Sequence, residues 1–172
     1  MKSNLILTKW KDNHLNSLVS LANNPNIART MGANFPFPYT EKDGIQWINV
    51  ANSERFHSWA IEINTELVGG IVIKVTKNIA PYSGIIFYWI GEKFWGKGIA
   101  TEATKRATSI AFNELQFERL ETSVLPWNTQ SIKVLKKCNF LKDIIRKNII
   151  IKGGEPIECD IYVLINPNAV YN

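Results

Sequence analysis

An α+β fold, a mixed and mostly antiparallel sheet flanked by helices, is what this 172-residue sequence predicts, and three observations carry the prediction. Apolar residues alternate with polar ones from Trp59 to Ile63 and two more strand-like segments follow by Gly91, with connections too short for helices, which reads as an antiparallel meander. A strand, a helix and another strand come next, giving one crossover in the middle of the chain. Two closing strands flank Lys152-Gly153-Gly154-Glu155, a hairpin turn. Residues 1–172 are expected to form a single domain, long enough to close a core without metal or disulfide staples.

In order, Leu5-Ile6-Leu7 reads as a first strand, and Leu15, Leu18, Val19 and Ala22 mark one face of a helix that the polar turn Asn23-Asn24-Pro25-Asn26 ends. Phe35-Pro36-Phe37-Pro38-Tyr39 is too proline-rich for regular structure, and its aromatics either line a pocket or cover the core. Thr40-x-x-Asp43 has the form of a cap opening a helix through Ile45, Ile48 and Ala51. The meander strands are Trp59–Ile63, Leu67–Val75 and Ser83–Gly91. A helix runs from Ile99 to about Leu115, a strand covers Arg119–Leu125, and a short helix covers Asn128–Cys138. The closing strands are Ile144–Ile151 and Ile157–Ile165. No repeat or linker divides the chain.

Composition narrows the class of protein. A hydrophobic content of 45% with 20% charged residues is ordinary for a globular protein, and the apolar runs are strand-sized, so none spans a bilayer. Met1-Lys2-Ser3-Asn4 leads straight into a strand pattern without a signal-type stretch, so a cytoplasmic location is expected. Cys138 and Cys159 have no second pair to complete metal-ligand spacing, and they read as buried, reduced packing residues. His14 and His57 stand apart from each other and from any carboxylate cluster in the sequence. A net charge of +5 favours an anionic ligand or partner.

The most informative run is Phe94-Trp95-Gly96-Lys97-Gly98-Ile99-Ala100-Thr101-Glu102-Ala103, where two glycines at alternate positions join the strand Ile85–Ile90 to the central helix. Glycines let the backbone pass close to an anion, and the unsatisfied amides of a first helical turn donate to it. Lys93 and Lys97 add positive charge. The turn is either a phosphate site or a structural tight turn. It is not a dinucleotide fingerprint, which needs a third glycine and an early strand, nor a triphosphate loop, which needs Gly-Lys followed by Ser or Thr.

With Asn128-x-x-Ser131-x-x-Val134-Leu135-x-Lys137-x-x-Phe140 as a second motif, the chain resembles the GNAT superfamily of acetyl-coenzyme A-dependent N-acetyltransferases over nearly its whole length. The family's cofactor motif is Arg or Gln, two spacers, Gly, one spacer, then Gly or Ala. Lys93-Phe94-Trp95-Gly96-Lys97-Gly98 matches it except that lysine stands first. Asn139 stands where the family usually has a glycine, and asparagine is a good substitute in a left-handed position. Together with Phe35-Pro36-Phe37-Pro38-Tyr39-Thr40, the motifs are similar to the branch that acetylates ribosomal-protein N-termini.

The resemblance implies direct attack of a neutral amine on the thioester of acetyl-coenzyme A, with no acyl-enzyme and no metal. It assigns the pyrophosphate to the amides of Gly96, Lys97, Gly98, Ile99, Ala100 and Thr101, with Lys93 alongside. Pantetheine and acetyl groups fall to the backbone near Trp89 and Ile90 and to the Asn128–Ser131 segment. Many relatives place a tyrosine seven positions after the asparagine to protonate the thiolate; Leu135 stands there, which leaves Ser131 as the donor. Glu121, on the same strand face as Ser123, is the candidate base acting through water, the alternative being an ion pair with Arg119. Asn128 also reads as a helix cap. The expected partners are acetyl-coenzyme A and an amine acceptor, in a monomer or homodimer. A nucleic-acid module is disfavoured because the tryptophans fall inside predicted elements and no basic stripe appears. A non-catalytic acetyl-coenzyme A sensor stays open as an alternative.

Overall fold

Every strand of the computed structural model belongs to one sheet, and the residues it describes are 4–76 and 82–169. Residues 1–3, on which the reading of the N-terminus rests in part, lie outside them. The elements are β1 (Leu5–Thr8), α1 (Leu15–Ala22), α2 (Pro25–Thr30), α3 (Glu41–Ala51), β2 (Phe56–Ile63), β3 (Glu66–Thr76) and β4 (Ser83–Ile90), then α4 (Ile99–Asn113), β5 (Arg119–Val124), α5 (Thr129–Lys137), β6 (Leu141–Lys152) and β7 (Glu155–Ile165). The seven strands lie in the order β1-β2-β3-β4-β5-β7-β6. Among the described residues only β4 and β5 pair in parallel, across the crossover through α4, so the mixed, mostly antiparallel sheet expected from the sequence is the one that forms.

Neighbouring residues on one strand serve different cores, as the two-residue period of a strand demands. Ile61, Ile71, Ile73, Ile86 and Ile90 pack with Ala103, Ala107 and Ala111 of α4 and Leu135 of α5. Ala60, Leu67 and Trp89 pack with Leu18 of α1 and Ile48 of α3. The three alanines are fully buried, and their small side chains bring α4 close against the sheet.

Thr104, on the same buried side of α4, has a hydroxyl with no hydrogen-bond partner. A buried polar atom left unpaired costs about 1–3 kcal/mol. Thr104→Val keeps the shape and removes that atom, so it should stabilise the fold by roughly 1 kcal/mol in urea unfolding. A loss of stability would mean that the hydroxyl is satisfied.

The structure corrects three sequence readings. Asn23-Asn24-Pro25-Asn26 does not only end α1: Asn24 accepts from the amides of Asn26 and Ile27 and opens α2 with Pro25 in its first turn. The last hairpin is longer than expected, because β6 begins at Leu141 and bulges between Lys142 and Lys147, where the Asp143 carboxylate accepts from the amides of Ile145 and Arg146. His14, isolated in sequence, is buried with its Nε2 at 2.8 Å from the Glu62 carboxylate.

The capping box at Thr40 and Asp43 forms, with Thr40 N donating to Asp43 Oδ2 at 2.8 Å. In the Phe35–Tyr39 segment, Tyr39 is buried in the second core, Phe35 packs beside it and Phe37 is exposed, so the loop covers core. Burial pushes the Tyr39 hydroxyl up to about 12. Both cysteines are free and buried. Among the described residues no helix is long and apolar enough to cross a membrane.

Candidate active site

The sheet opens where the chain changes direction. β3 and β4 stay paired from Thr76↔Ser83 to Gly69↔Ile90, whereas β4 and β5 pair only at Ser83↔Arg119, Gly84↔Leu120 and Ile85↔Glu121. Beyond Ile85 the two strands separate. The amide of Gly91 donates to Val68 O at 2.9 Å, so Gly91 faces β3. Backbone groups of alternate residues point to opposite sides, and those of Ile90 and Tyr88 therefore point into the gap. The indole of Trp95 donates to Ile90 O at 2.7 Å, which occupies that carbonyl and leaves the Ile90 N–H facing the gap.

At the mouth of the gap Gly96 and Gly98 adopt φ of +76° and +77°, the left-handed region that disfavours side chains. Space is open where a Cβ would stand on either glycine. Gly98 is the N-cap of α4, no side chain caps the helix, and the first ladder bond is Glu102 N to Gly98 O at 3.0 Å. The amides of Ile99, Ala100 and Thr101 thus precede the ladder, which is the arrangement that holds an anion at a helix start. Geometry and chemistry both fit a diphosphate.

A cavity of about 370 Å³ runs from this turn into the gap, lined by Tyr88, Trp89 and Ile90, by Gly96 and Gly98 to Thr101, by Asn128, Ser131 and Lys137 of the α5 segment, and by Ile27, Thr30 and Met31 of α2. Two basic residues, Lys133 and Lys137, supply all its charge among the described residues. The β6–β7 hairpin holds one wall in place, since Lys152 Nζ donates to Ala28 O and Met31 O at the end of α2, each at 2.9 Å.

Helix α5 is set by its two ends. Asn128 caps it by accepting from Ser131 N at 3.2 Å. At the other end Asn139 takes φ +63°, Phe140 N donates to Leu135 O and Asn139 N to Lys136 O, a Schellman closure with asparagine in the left-handed position. This fixes the helix phase: Leu135 turns fully into the core while Ser131, Val134 and Lys137 line the cavity. Across the gap the Tyr88 hydroxyl lies 3.0 Å from Ser131 Oγ. Burial pushes the Tyr88 hydroxyl up to about 12, the hydrogen bond to Ser131 acting the other way.

Trp89, Ile90, Gly96, Gly98, Ile99, Ala100, Thr101, Asn128 and Ser131 come together around this cavity. The side chains of three other residues named from the sequence do not line it, although the Lys97 amide lies in the turn between Gly96 and Gly98. Lys93 Nζ pairs with Glu66 at 2.8 Å and lies over the Phe94 ring, and the ammonium of Lys97 also lies over that ring. Glu121 sits at the last paired position before the strands part, and its Oε2 accepts from Arg119 and Arg146, each at 2.9 Å. Its carboxylate is spent on two guanidinium groups, and Ser123 Oγ accepts from Asn148. Tyr88, which sequence reasoning did not single out, is the side chain added to the site.

Over 103 residues the chain is 38% identical to the Probable N-acetyltransferase YjcK of Bacillus subtilis, a match covering 59% of this chain and 56% of that protein. The chain spans about half the length of these curated relatives, the YjcK protein and an uncharacterized N-acetyltransferase p20 of Bacillus licheniformis. Among solved structures, RimL, a ribosomal L7/L12 α-N-protein acetyltransferase in complex with coenzyme A, superposes with a TM-score of 0.81 at 16% identity, covering 96% of this chain and 95% of that one. A spermidine N-acetyltransferase from Vibrio cholerae in complex with coenzyme A and spermine superposes with a TM-score of 0.78 at 18% identity, covering 94% and 95%. These two likenesses show the fold. Residues 4–141 match the family described as the acetyltransferase (GNAT) domain, which takes in the glycine turn, the splayed strands and α5, and the chain belongs to that family.

Proposed function

We propose that this protein is an N-acetyltransferase that moves the acetyl group of acetyl-coenzyme A to a primary amine, with a peptide α-amine or another amine of low pKa as acceptor. The observation that carries the transferase reading is the glycine turn with its uncapped amides at the mouth of the splayed strands. In this reading the amides of Gly96 to Thr101 hold the diphosphate, and Asn128 and Ser131 border the pantetheine arm. The Ile90 N–H polarises the thioester oxygen. Preorganised donors of this kind contribute about 3–4 kcal/mol to other acyl transfers. Ser131 is the hydroxyl for the departing sulfur.

The ease of deprotonation supports this acceptor. RimL acts on a protein α-amine, whereas the Vibrio cholerae enzyme binds a polycation. The cavity has no carboxylate or histidine among its described lining residues, and its charges are those of Lys133 and Lys137. No side chain of this wall is a strong base, which supports an amine that loses its proton easily. An α-amine of pKa near 8 is roughly 10% neutral at pH 7, whereas a lysine amine near 10.4 is only about 0.04% neutral. Thiol release from acetyl-coenzyme A across N-terminal peptides, lysine-containing blocked peptides and spermidine tests this. Turnover should be fastest with free N-terminal peptides. A preference for spermidine would overturn the acceptor assignment, and coenzyme A binding without turnover on any amine would overturn the transferase itself.

A further inference from the structure

We infer that Tyr88 is a positioning residue for Ser131: its phenol donates to Ser131 Oγ and so turns the serine's own proton toward the leaving sulfur. The inference rests on the acetyltransferase reading above. The two hydroxyls are 3.0 Å apart, Tyr88 on β4 and Ser131 on α5, and both line the same cavity although 43 positions separate them in the chain. Ser131 N is already engaged with Asn128 Oδ1, which pins the serine backbone.

A serine hydroxyl otherwise rotates freely among its partners. The direction of the bond follows from chemistry. A phenol is a stronger donor than an aliphatic alcohol, so Tyr88 gives its proton to the bond and Ser131 Oγ accepts. Its burial keeps that proton in place through any working pH. One lone pair of Ser131 is then filled from the β4 side, and the remaining O–H is aimed away from Tyr88, polarised by the donation it receives.

The step balances as follows. The amine nitrogen forms a bond to the thioester carbon, and the carbonyl π pair moves onto oxygen. As the carbonyl re-forms, the carbon–sulfur bond breaks and its electron pair goes to sulfur, which the Ser131 O–H stabilises by a hydrogen bond. The proton that completes the thiol comes from water, which receives the one shed by the amine nitrogen. Neither hydroxyl loses a proton overall.

The test is a double-mutant cycle on the whole chain, reading thiol release with a free N-terminal peptide. Tyr88→Phe keeps the ring and removes only the hydroxyl. It should lower kcat about 10-fold, the worth of a neutral hydrogen bond, by the same factor from pH 7 to 9.5. The KM for acetyl-coenzyme A and the affinity for coenzyme A should change less than about twofold, which also reports that the variant is folded. In a Ser131→Ala background the same substitution should have no further effect. An equal loss in that background, a loss confined to KM, or wild-type kcat in the Tyr88→Phe protein would each overturn the inference. Absence of turnover in the unmodified protein would instead overturn the transferase reading on which it stands.

Discussion

Replacing Gly98 with glutamate should raise the Kd for coenzyme A by about 100-fold or more, read by calorimetry, through two separable effects. Gly98 holds φ +77°, a conformation that costs a residue with a Cβ roughly 1–2 kcal/mol. A glutamate there also places a carboxylate beside amides that are proposed to receive a diphosphate. Space is open around the missing Cβ, so a steric clash within the protein does not contribute. Gly98→Ala isolates the backbone term and should lose about 10-fold at most. Gly153, at φ +61° in the β6–β7 turn, serves as the control, because Gly153→Ala carries similar strain with no ligand nearby and should leave binding unchanged. Equal affinities for the Gly98→Glu and unmodified proteins would move the anion site elsewhere.

The largest effect on stability is expected from His14→Ala. The amide of Lys11 donates to His14 Nδ1 at 3.1 Å, which makes that nitrogen an acceptor and puts the ring proton on Nε2. Nε2 then donates to Glu62 at 2.8 Å, with both side chains buried and Lys11 Nζ a more distant 3.9 Å from the same oxygen. Removing the imidazole takes away the 2.8 Å donor of a buried carboxylate, a change that costs about 1.5–3 kcal/mol, the worth of a hydrogen bond to a charged group. Since whole domains are stable by only about 5–15 kcal/mol, urea unfolding should show a large drop in midpoint. Replacing both partners with apolar residues, His14→Phe with Glu62→Leu, should recover most of the loss. A cost under about 1 kcal/mol for His14→Ala would mean that Glu62 reaches water or another donor.

What could be read from the sequence was what depends on local order. The alternation at Trp59–Ile63, the Thr40/Asp43 cap, the glycine turn and the Gly153-Gly154 hairpin are each written in a few consecutive residues, and all four form. Asn139 was legible as a left-handed position because one dihedral constraint selects for asparagine or glycine. α2 was missed because the Asn24-Pro25 pair that opens it looks the same as a turn, and six residues are too few to display a helical period.

The surroundings of the candidate site residues are decided by contacts across the fold, which local sequence does not display. Alternation put Glu121 beside Ser123 and offered Arg119 as its ion-pair partner, which forms, while Arg146 joins it from the bulged segment of β6. Lys93 was named by motif and proximity, and its ammonium meets Glu66 at the start of β3, outside the cavity lining. Leu135 in place of tyrosine left Ser131 as the candidate donor. Tyr88 reaches it from a different strand, and nothing within the α5 motif announces that pairing.

A crystal structure of the protein with coenzyme A bound measures the central claim most directly. The diphosphate should lie within hydrogen-bonding distance of the amides between Gly96 and Thr101, with the thiol end in the gap between β4 and β5 near Ser131. Coenzyme A bound elsewhere, with those amides satisfied by the protein itself, would contradict the account.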